Sequence, residues 1–216
     1  MQHKSINNLK AIKNKVETLD NRVEIIAVSK THEMTDIQPL INFGHKHFGE
    51  NKVQEAINKW SDHIKDFNNV NLHMIGKLQT NKVKQAVQIF DYIHSLDSEK
   101  LAKKIAKEQK KIDKSLKIFI QINIDNEINK SGISIDELDS FYQYTVNELN
   151  LNIIGLMCIP AINKNSKFAF QLMKNLSDKI GVKEISMGMS ADYMDAIKFG
   201  ASFIRIGTDI FGKRNY

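Results

Sequence analysis

The sequence contains little cysteine, proline or tryptophan, and it has no long apolar segment. Its 216 residues include one Cys, two Pro and one Trp. The single cysteine, Cys158, cannot form an internal disulfide, which favours a reducing compartment. No apolar run approaches the roughly 18 residues that a membrane-spanning helix needs. The polar residues 1–5 lack the apolar core of a secretory signal peptide. These absences predict a cytoplasmic protein that does not contact a membrane.

The sequence carries an excess of positive charge, with a formal net charge of +6. Such an excess raises the possibility of a nucleic-acid partner. The lysines are scattered, however, and their densest cluster, within residues 100–111, recurs at helical spacing with apolar residues on the opposite side. This pattern is typical of a solvent-exposed helix face, so we expect no binding of nucleic acid.

Short apolar segments alternate with helical patterns along the whole chain. The predicted strands are residues 24–28, 46–48, 72–75, 92–94, 118–122, 153–157, 184–187 and 203–206. The predicted helices are residues 6–19 before the first strand, then 35–42, 52–60, 81–90, 98–111, 135–147, 167–179 and 191–199. Strands that alternate with helices predict a parallel sheet, and eight such units close naturally into a barrel. We therefore predict an α/β fold, a (β/α)8 TIM barrel with an extra N-terminal helix, as one domain over residues 1–216.

A doubly wound open sheet is the structural alternative. That fold would require a Gly-rich phosphate loop after the first strand. The sequence at that position is Ser29-Lys30-Thr31-His32, which contains no glycine. The barrel is therefore the better interpretation, and it predicts that functional residues lie at the carboxyl ends of the strands. Polar residues follow the predicted strand ends throughout: Lys30, Asn51, Lys77, His94, Ser95, Asn123, Ser186 and Thr208.

Lys30 directly follows the first predicted strand, a dense β-branched segment of the kind buried in parallel sheets. Partial desolvation at such a position disfavours the ammonium and makes a nucleophilic amine more accessible. An amine of this kind forms Schiff bases with carbonyl compounds, including the aldehyde of pyridoxal phosphate. From this segment alone, a lysine that ends a strand and extends its ammonium to solvent is the favoured interpretation, and the rest of the chain has to decide.

The last two strand ends suggest a phosphate site. TIM barrels often bind phosphate between their final loops, with backbone N–H groups and a helix N-terminus as donors. The seventh strand end contributes Ser186, Gly188 and Ser190, with Ser190 predicted to cap the following helix, and the eighth contributes Gly207 and Thr208. Together with Lys30 at the same mouth, these residues predict a phosphorylated aldehyde as the ligand.

Arg205 lies within the eighth predicted strand, where an unpaired guanidinium would be costly. One hypothesis is a structural carboxylate partner. The other is that Arg205 donates to the pyridine nitrogen of pyridoxal phosphate. A guanidinium keeps its protons, so it would leave that nitrogen unprotonated and the ring a weaker electron sink. Such a site favours holding the cofactor over transamination.

The sequence resembles the pyridoxal phosphate homeostasis protein family, single-domain relatives of the amino-terminal barrel of alanine racemase that belong to fold type III. The resemblance covers essentially the whole chain. It rests on these segments in order: residues 27–31, 48–51 and 53–55, 73–76, 78–82, 121–123, 129–132, 155–157, 186–192, 204–208 and 210–212. The departures are small: Lys77 stands where a proline is common, and the loop around residues 163–166 is short.

The resemblance implies roles for the matching residues. Lys30 would hold pyridoxal 5'-phosphate as an aldimine, and Arg205 would face the pyridine nitrogen. The implied pocket residues are Asn51, Asn123 and Met157, and the implied phosphate residues are Ser186, Gly188, Ser190, Gly207 and Thr208. His73 is a weaker candidate, since a histidine satisfied within the third strand explains it as well. His45 and His47 lack an evident third ligand, so we expect no metal site.

The resemblance also implies a limit on chemistry. The racemases complete proton transfer with a second, β-rich domain and a tyrosine from a partner subunit, whereas this sequence ends shortly after Thr208. We expect a protein that buffers or delivers pyridoxal phosphate, with PLP-dependent apo-enzymes as possible recipients, and that is not itself an enzyme. A monomer is the expected state. The alternatives are a small pyridoxal-dependent racemase or decarboxylase, completed by a base such as His73, and a Schiff-base aldolase.

Overall fold

Eight parallel strands, each followed along the chain by a helix, close into a barrel in sequence order. The computed structural model describes residues 3–63, 67, 69–125, 131–161 and 165–212. The strands are β1 Glu24–Val28, β2 His47–Glu50, β3 Asn71–Met74, β4 Tyr92–Leu96, β5 Lys117–Gln121, β6 Ile153–Met157, β7 Glu184–Met189 and β8 Phe203–Ile206. Strand β1 pairs with both β2 and β8, which closes the barrel.

The helices form the outer layer. They are α1 Lys4–Glu17, α2 Met34–Asn42, α3 Val53–Trp60, α4 Val83–Ile89, α5 Glu99–Lys111, α6 Leu138–Gln143, α7 Ser166–Ile180, α8 Tyr193–Lys198 and α9 Thr208–Phe211. A 3-10 turn, Thr80–Lys82, precedes α4, and a π-helical segment, Tyr144–Glu148, continues α6. No helix in these described ranges is both long and apolar enough to cross a membrane.

The predicted (β/α)8 barrel is confirmed, including the helix that precedes the first strand. Helix α1 buries one apolar stripe, Ile6, Leu9, Ile12 and Val16. Its Asn8 side chain also donates a 2.9 Å hydrogen bond to the Ile210 carbonyl of α9. The barrel interpretation was therefore correct, and the open doubly wound sheet was not.

Two predicted boundaries were wrong in ways that matter for the site. Strand β4 continues to Leu96, so His94 is a fully buried strand residue and not a residue of the mouth. Strand β7 continues to Met189, and the residue that caps α8 is Asp192, not Ser190. The Asp192 carboxylate accepts a 2.8 Å hydrogen bond from the Met189 N–H, which ties the strand end to the helix start.

The core has two parts. The larger part lies between strands and helices and includes Phe48, Trp60, Leu72 and Phe170. The smaller part consists of side chains that alternate with those along the strands and meet inside the barrel: Ile26, Tyr92, Phe119, Met157 and Phe203. Branched aliphatic residues usually dominate a TIM-barrel interior. Here aromatic rings dominate the interior. Polar side chains that are also flat rings can pack among them.

Gly155 in β6 marks a close approach between strands. A Cβ atom at this position would lie 2.0 Å from the Glu184 carbonyl oxygen of the neighbouring strand. We predict that Gly155→Ala lowers the free energy of unfolding by about 1–3 kcal/mol, because backbone atoms would have to move apart. Urea unfolding followed by circular dichroism measures the change.

Gly207→Ala is the matched control. Its added Cβ would meet Val28 at 3.4 Å, an ordinary contact, and its φ of −111° suits any residue. This control should unfold within about 0.5 kcal/mol of the wild type. Equal stability of Gly155→Ala and the wild type would contradict the close approach.

Candidate functional site

The carboxyl ends of the strands surround a mouth that brings several predicted site residues together. Asn51 after β2 and Asn123 after β5 line one cavity of about 390 Å³, together with Gly76 and Lys77. Lys30 lies half-buried two residues after the end of β1. Of the polar residues predicted at strand ends, Asn51, Lys77 and Asn123 therefore lie together, whereas His94 and Ser186 are fully buried in the barrel.

The backbone on both sides of Lys30 is held by buried and half-buried charges. Ser29 donates from its hydroxyl to Glu50 Oε1 at 2.7 Å, and its carbonyl accepts from Lys59 Nζ at 2.8 Å. On the other side, the Thr31 N–H donates to Glu55 Oε1. Thr31 has a φ of +66°, a left-handed conformation that a threonine rarely adopts without such support. We call Glu50, Glu55 and Lys59 the Glu50 cluster.

Glu50 is the centre of this cluster and is fully buried. Its Oε1 accepts from Ser29, from Lys59 Nζ at 3.0 Å and from Trp60 Nε1 at 3.1 Å. Among the described residues its Oε2 has no hydrogen-bond partner. A buried carboxylate is stable only when it is paired and hydrogen-bonded, and here an ammonium and two neutral donors stabilise it.

Glu55 adds the second carboxylate. Burial acts to raise the pKa of Glu55, but the Thr31 N–H and the Lys59 ammonium outweigh that effect and hold the pKa below its usual value. Glu55 therefore stays ionised and anchors both the loop after Lys30 and the lysine of α3. The sequence analysis used Glu50 and Glu55 only as marks of resemblance and missed this role. The available signal was an acid at the end of a buried strand, a second acid five residues later in the next helix, and a lysine one helical turn beyond that acid.

Arg205 is buried in β8 and meets neutral acceptors. Its Nη1 donates to Ser186 Oγ at 2.6 Å, and its Nη2 donates to the Cys158 carbonyl at 2.8 Å. In the described part of the chain no ion pair of Arg205 is found, so the structural-carboxylate hypothesis gains no support there. Burial lowers the pKa of Arg205 from its usual value. A guanidinium has five N–H donors, and these two bonds use two of them.

Ser186 occupies a different place from the one predicted. Its hydroxyl is fully buried and lies between Arg205 and His94, whose Nδ1 is 2.9 Å away. The prediction that this side chain contacts a phosphate at the mouth is corrected, because the hydroxyl is fully buried and is already bonded to Arg205 on one side and to His94 on the other. Met157 is likewise fully buried, in the interior cluster with Phe119 and Phe203.

The remaining predicted phosphate residues flank the mouth. Gly188 has a φ of +89°, and a Cβ there would lie 2.6 Å from the Ala196 Cβ, so packing against α8 already requires glycine. Ser190 is half-buried in the turn before α8. Gly207 and Thr208 stand at the start of α9, as cap and first residue. These four residues remain candidates for contact with an anion.

The candidate histidines His45, His47 and His73 lie away from the mouth. His73 is fully buried, with Nε2 2.9 Å from His47 Nδ1 and Nδ1 2.9 Å from His94 Nε2. Both of its ring nitrogens are engaged, so His73 cannot serve as the solvent-accessible base of an enzyme. His45 Nε2 lies 3.0 Å from the His47 carbonyl oxygen. Across the described ranges, no three His, Cys, Asp or Glu side chains are grouped as a metal site would require.

Comparison with known proteins gives consistent matches along the chain. Residues 6–215 match the sequence model of the family described as "Alanine racemase, N-terminal domain". A pyridoxal phosphate homeostasis protein of Haemophilus influenzae is 36% identical over 97% of this chain and 95% of the relative. One of Aquifex aeolicus is 35% identical over 91% of this chain and 90% of the relative.

Solved structures also resemble this chain, to different degrees. The structure of PipY from Synechococcus elongatus without PLP has a TM-score of 0.90 at 32% identity, over 97% of this chain and 100% of PipY. PipY with PLP bound has a TM-score of 0.86 at 32% identity, over 96% and 100% of the two chains. An alanine racemase of Clostridium difficile has a TM-score of 0.74 at 18% identity, over 99% of this chain and 57% of the racemase, a similarity of fold alone.

The Glu50 cluster can be tested through the single tryptophan of the chain, Trp60. We predict that Glu50→Gln lowers the free energy of unfolding by about 1–3 kcal/mol, because the Lys59 ammonium loses the fully buried one of its two carboxylate partners and keeps only Glu55. The Lys59 side chain is only 8% exposed, so water cannot replace that partner. The emission of Trp60 should also shift, since its N–H bonds to the same carboxylate. Urea unfolding monitored by fluorescence reports both effects.

Glu99→Gln is the control for charge removal. Glu99 pairs with Lys103 on α5, and both side chains are more than half exposed, at 63% and 58%. This variant should lose about 0.5 kcal/mol or less. If Glu50→Gln were no less stable than Glu99→Gln, the carboxylate of Glu50 would have no structural importance.

Proposed function

Because this chain belongs to the pyridoxal phosphate homeostasis proteins, within the alanine racemase N-terminal domain family, we propose that it binds pyridoxal 5'-phosphate at the mouth of its barrel. The observation that carries the proposal is the Glu50 cluster, which fixes the backbone on both sides of Lys30. A lysine whose ammonium only extends into solvent does not need a fixed backbone on both sides. A lysine that reacts with an aldehyde in one orientation does need it.

Lys30 is proposed to bind the cofactor covalently. Its amine would attack the aldehyde carbon and form a Schiff base, with loss of water. The PipY structure with PLP bound supports the choice of ligand, since PipY is similar to this chain along its whole length. The cofactor would supply a conjugated ring that absorbs in the near-visible range. The chain would supply the fixed amine and the walls of the site, including Asn51 and Asn123.

Arg205 is proposed to face the pyridine nitrogen. Its guanidinium is held from inside the barrel by Ser186 and by the Cys158 carbonyl, so its orientation is fixed before a ligand arrives. A group that can only donate would bond to an unprotonated ring nitrogen. The ring would then be a weak electron sink, which suits retention of the cofactor.

The phosphate is proposed to lie between the last two strand ends. Gly188 and Ser190 after β7, with Gly207 and Thr208 before α9, offer hydroxyls and backbone N–H groups at one rim of the mouth. Ser186 is not part of this proposal. Met157 would form the floor, through the interior cluster to which it belongs.

We further propose that the bound cofactor undergoes no turnover. Racemisation needs proton transfer on both faces of the substrate carbon, and Lys30 can serve only one of them. His73, the candidate for the second base, is buried and engaged on both ring nitrogens. The proposed role is therefore to buffer pyridoxal phosphate or deliver it to PLP-dependent apo-enzymes, as a monomer in the cytoplasm.

The covalent site is tested by spectroscopy and labelling. Mixing the purified protein with pyridoxal phosphate should give a near-visible absorbance band, and borohydride reduction should attach the cofactor to Lys30. Lys30→Ala should lose both the band and the label. Lys77→Ala is the matched control, because Lys77 is a lysine that lines the same cavity as Asn51 and Asn123. It should keep both, and label found on Lys77 would overturn the assignment of Lys30.

Turnover is tested separately on the wild-type holo-protein. Incubation with a panel of L-amino acids should leave their chirality unchanged and should release no amines, because no second base faces the site. Chiral chromatography and amine detection provide the measurement. Racemisation or decarboxylation that disappears in Lys30→Ala would show that the protein is an enzyme.

A further inference from the structure

A continuous row of hydrogen bonds crosses the interior of the barrel beneath Arg205. From the mouth, Arg205 Nη1 lies 2.6 Å from Ser186 Oγ, and that oxygen lies 2.9 Å from His94 Nδ1. His94 Nε2 lies 2.9 Å from His73 Nδ1, and His73 Nε2 lies 2.9 Å from His47 Nδ1. We call His47, His73 and His94 the histidine chain. They come from three neighbouring strands, β2, β3 and β4.

The two ends of the row determine which way every hydrogen bond points. At the mouth, Arg205 can only donate, so Ser186 Oγ accepts from it. The one hydrogen of the Ser186 hydroxyl is then available for His94 Nδ1. At the base of the barrel, His47 Nε2 lies 3.6 Å from Glu24 Oε2, and a carboxylate favours an N–H over a nitrogen lone pair.

With a donor at one end and a carboxylate at the other, a single arrangement satisfies every contact. Each imidazole accepts at Nδ1 and carries its hydrogen on Nε2. The opposite arrangement would place the His94 hydrogen on Nδ1, against Ser186, and the hydroxyl hydrogen would lose this partner. It would also turn the lone pair of His47 Nε2 toward Glu24.

We infer that His47, His73 and His94 are neutral Nε2–H tautomers, which form a one-way hydrogen-bond chain that orients Ser186 and thereby positions Arg205. They are positioning residues, because they act on Arg205 through Ser186. The link from Arg205 to bound cofactor rests on the proposed function. The tautomers themselves are a property of the protein alone.

The surroundings of the chain keep its imidazoles neutral and fixed in orientation. His73 and His94 are fully buried, and desolvation holds the pKa of each well below its usual value. His73 stacks on Tyr92 with ring centroids 4.1 Å apart, and His94 stacks on Phe119 at 4.3 Å. These aromatic contacts fix the ring planes, so the nitrogens cannot turn away from their partners.

The first experiment needs no variant of the chain and no cofactor. Long-range ¹H–¹⁵N correlation spectra of the uniformly labelled apo-protein near pH 7.5 distinguish Nε2–H, Nδ1–H and imidazolium forms. The chain has seven histidines, so single His→Gln variants would assign the signals. All three residues of the histidine chain should be Nε2–H tautomers. A single one found as Nδ1–H, or charged, would overturn the inference.

The second experiment uses Ser186, the link between the chain and Arg205. In Ser186→Ala, Arg205 loses an acceptor and His94 loses the donor at Nδ1. Pyridoxal phosphate should bind about tenfold more weakly, and the His94 Nδ1 resonance should move toward the value of an unbonded nitrogen. Ser186→Thr keeps the hydroxyl and should restore both readings, which a purely steric role of the side chain would not predict.

The outcomes separate this inference from the proposed function. Wild-type protein that bound no pyridoxal phosphate would defeat the proposed function, and the apo-protein spectra would still decide the tautomers. Ser186→Ala that bound the cofactor as tightly as the wild type would defeat the positioning role. Measurement of the dissociation constant by absorbance titration, with unfolding curves for each variant, distinguishes these cases.

Discussion

The closed barrel imposes the constraint on which the other features depend. Closure sends alternate side chains of every strand into an interior that water does not reach, so any polar group placed there must bond to another one. Arg205, Ser186 and the histidine chain satisfy this requirement among themselves. The aromatic residues around them supply packing without offering competing hydrogen bonds. A barrel interior that contains one row of polar side chains can therefore be stable, provided that every polar group in the row has a hydrogen-bond partner.

The sequence alone was sufficient for the architecture. Alternating apolar and helical segments predicted all eight strands, and the strand positions singled out Lys30 and Arg205, whose roles in binding stay predictions. What it could not predict is which face of a strand points inward when both faces are buried. Strands β2 and β4 are buried at every position, so their patterns carry no alternation to interpret. Glu50 in β2 therefore received no role, and His94 was predicted at the mouth because the end of β4 was placed two residues too early. That residues 1–216 form one domain stays a prediction.

Ser186 shows why residues quoted from one motif can have different roles. It follows Ile185 and precedes Met187 in an extended strand, so its side chain faces the interior while both neighbours face the helices. Gly188, two residues on, breaks this alternation: its φ is positive, and a Cβ there would point at Ala196 of α8 instead of into the barrel. Only beyond this turn does the segment reach the rim of the mouth. The motif thus joins a residue that supports Arg205 to residues that can meet an anion.

Two buried hydrogen-bond networks lie beneath the mouth of the barrel. Together they favour a site that holds a ligand in place. The Glu50 cluster fixes the loop that carries Lys30, and the histidine chain fixes the side that carries Arg205. Each network contains charged or polar groups that would lose stability if their partners moved, so neither can shift readily during a reaction. Proton transfer by Arg205 is also unfavourable, because a guanidinium does not release its proton. A site built in this way would fix the geometry of the proposed aldehyde ligand, and the Arg205 side of the site would offer it no group that exchanges protons.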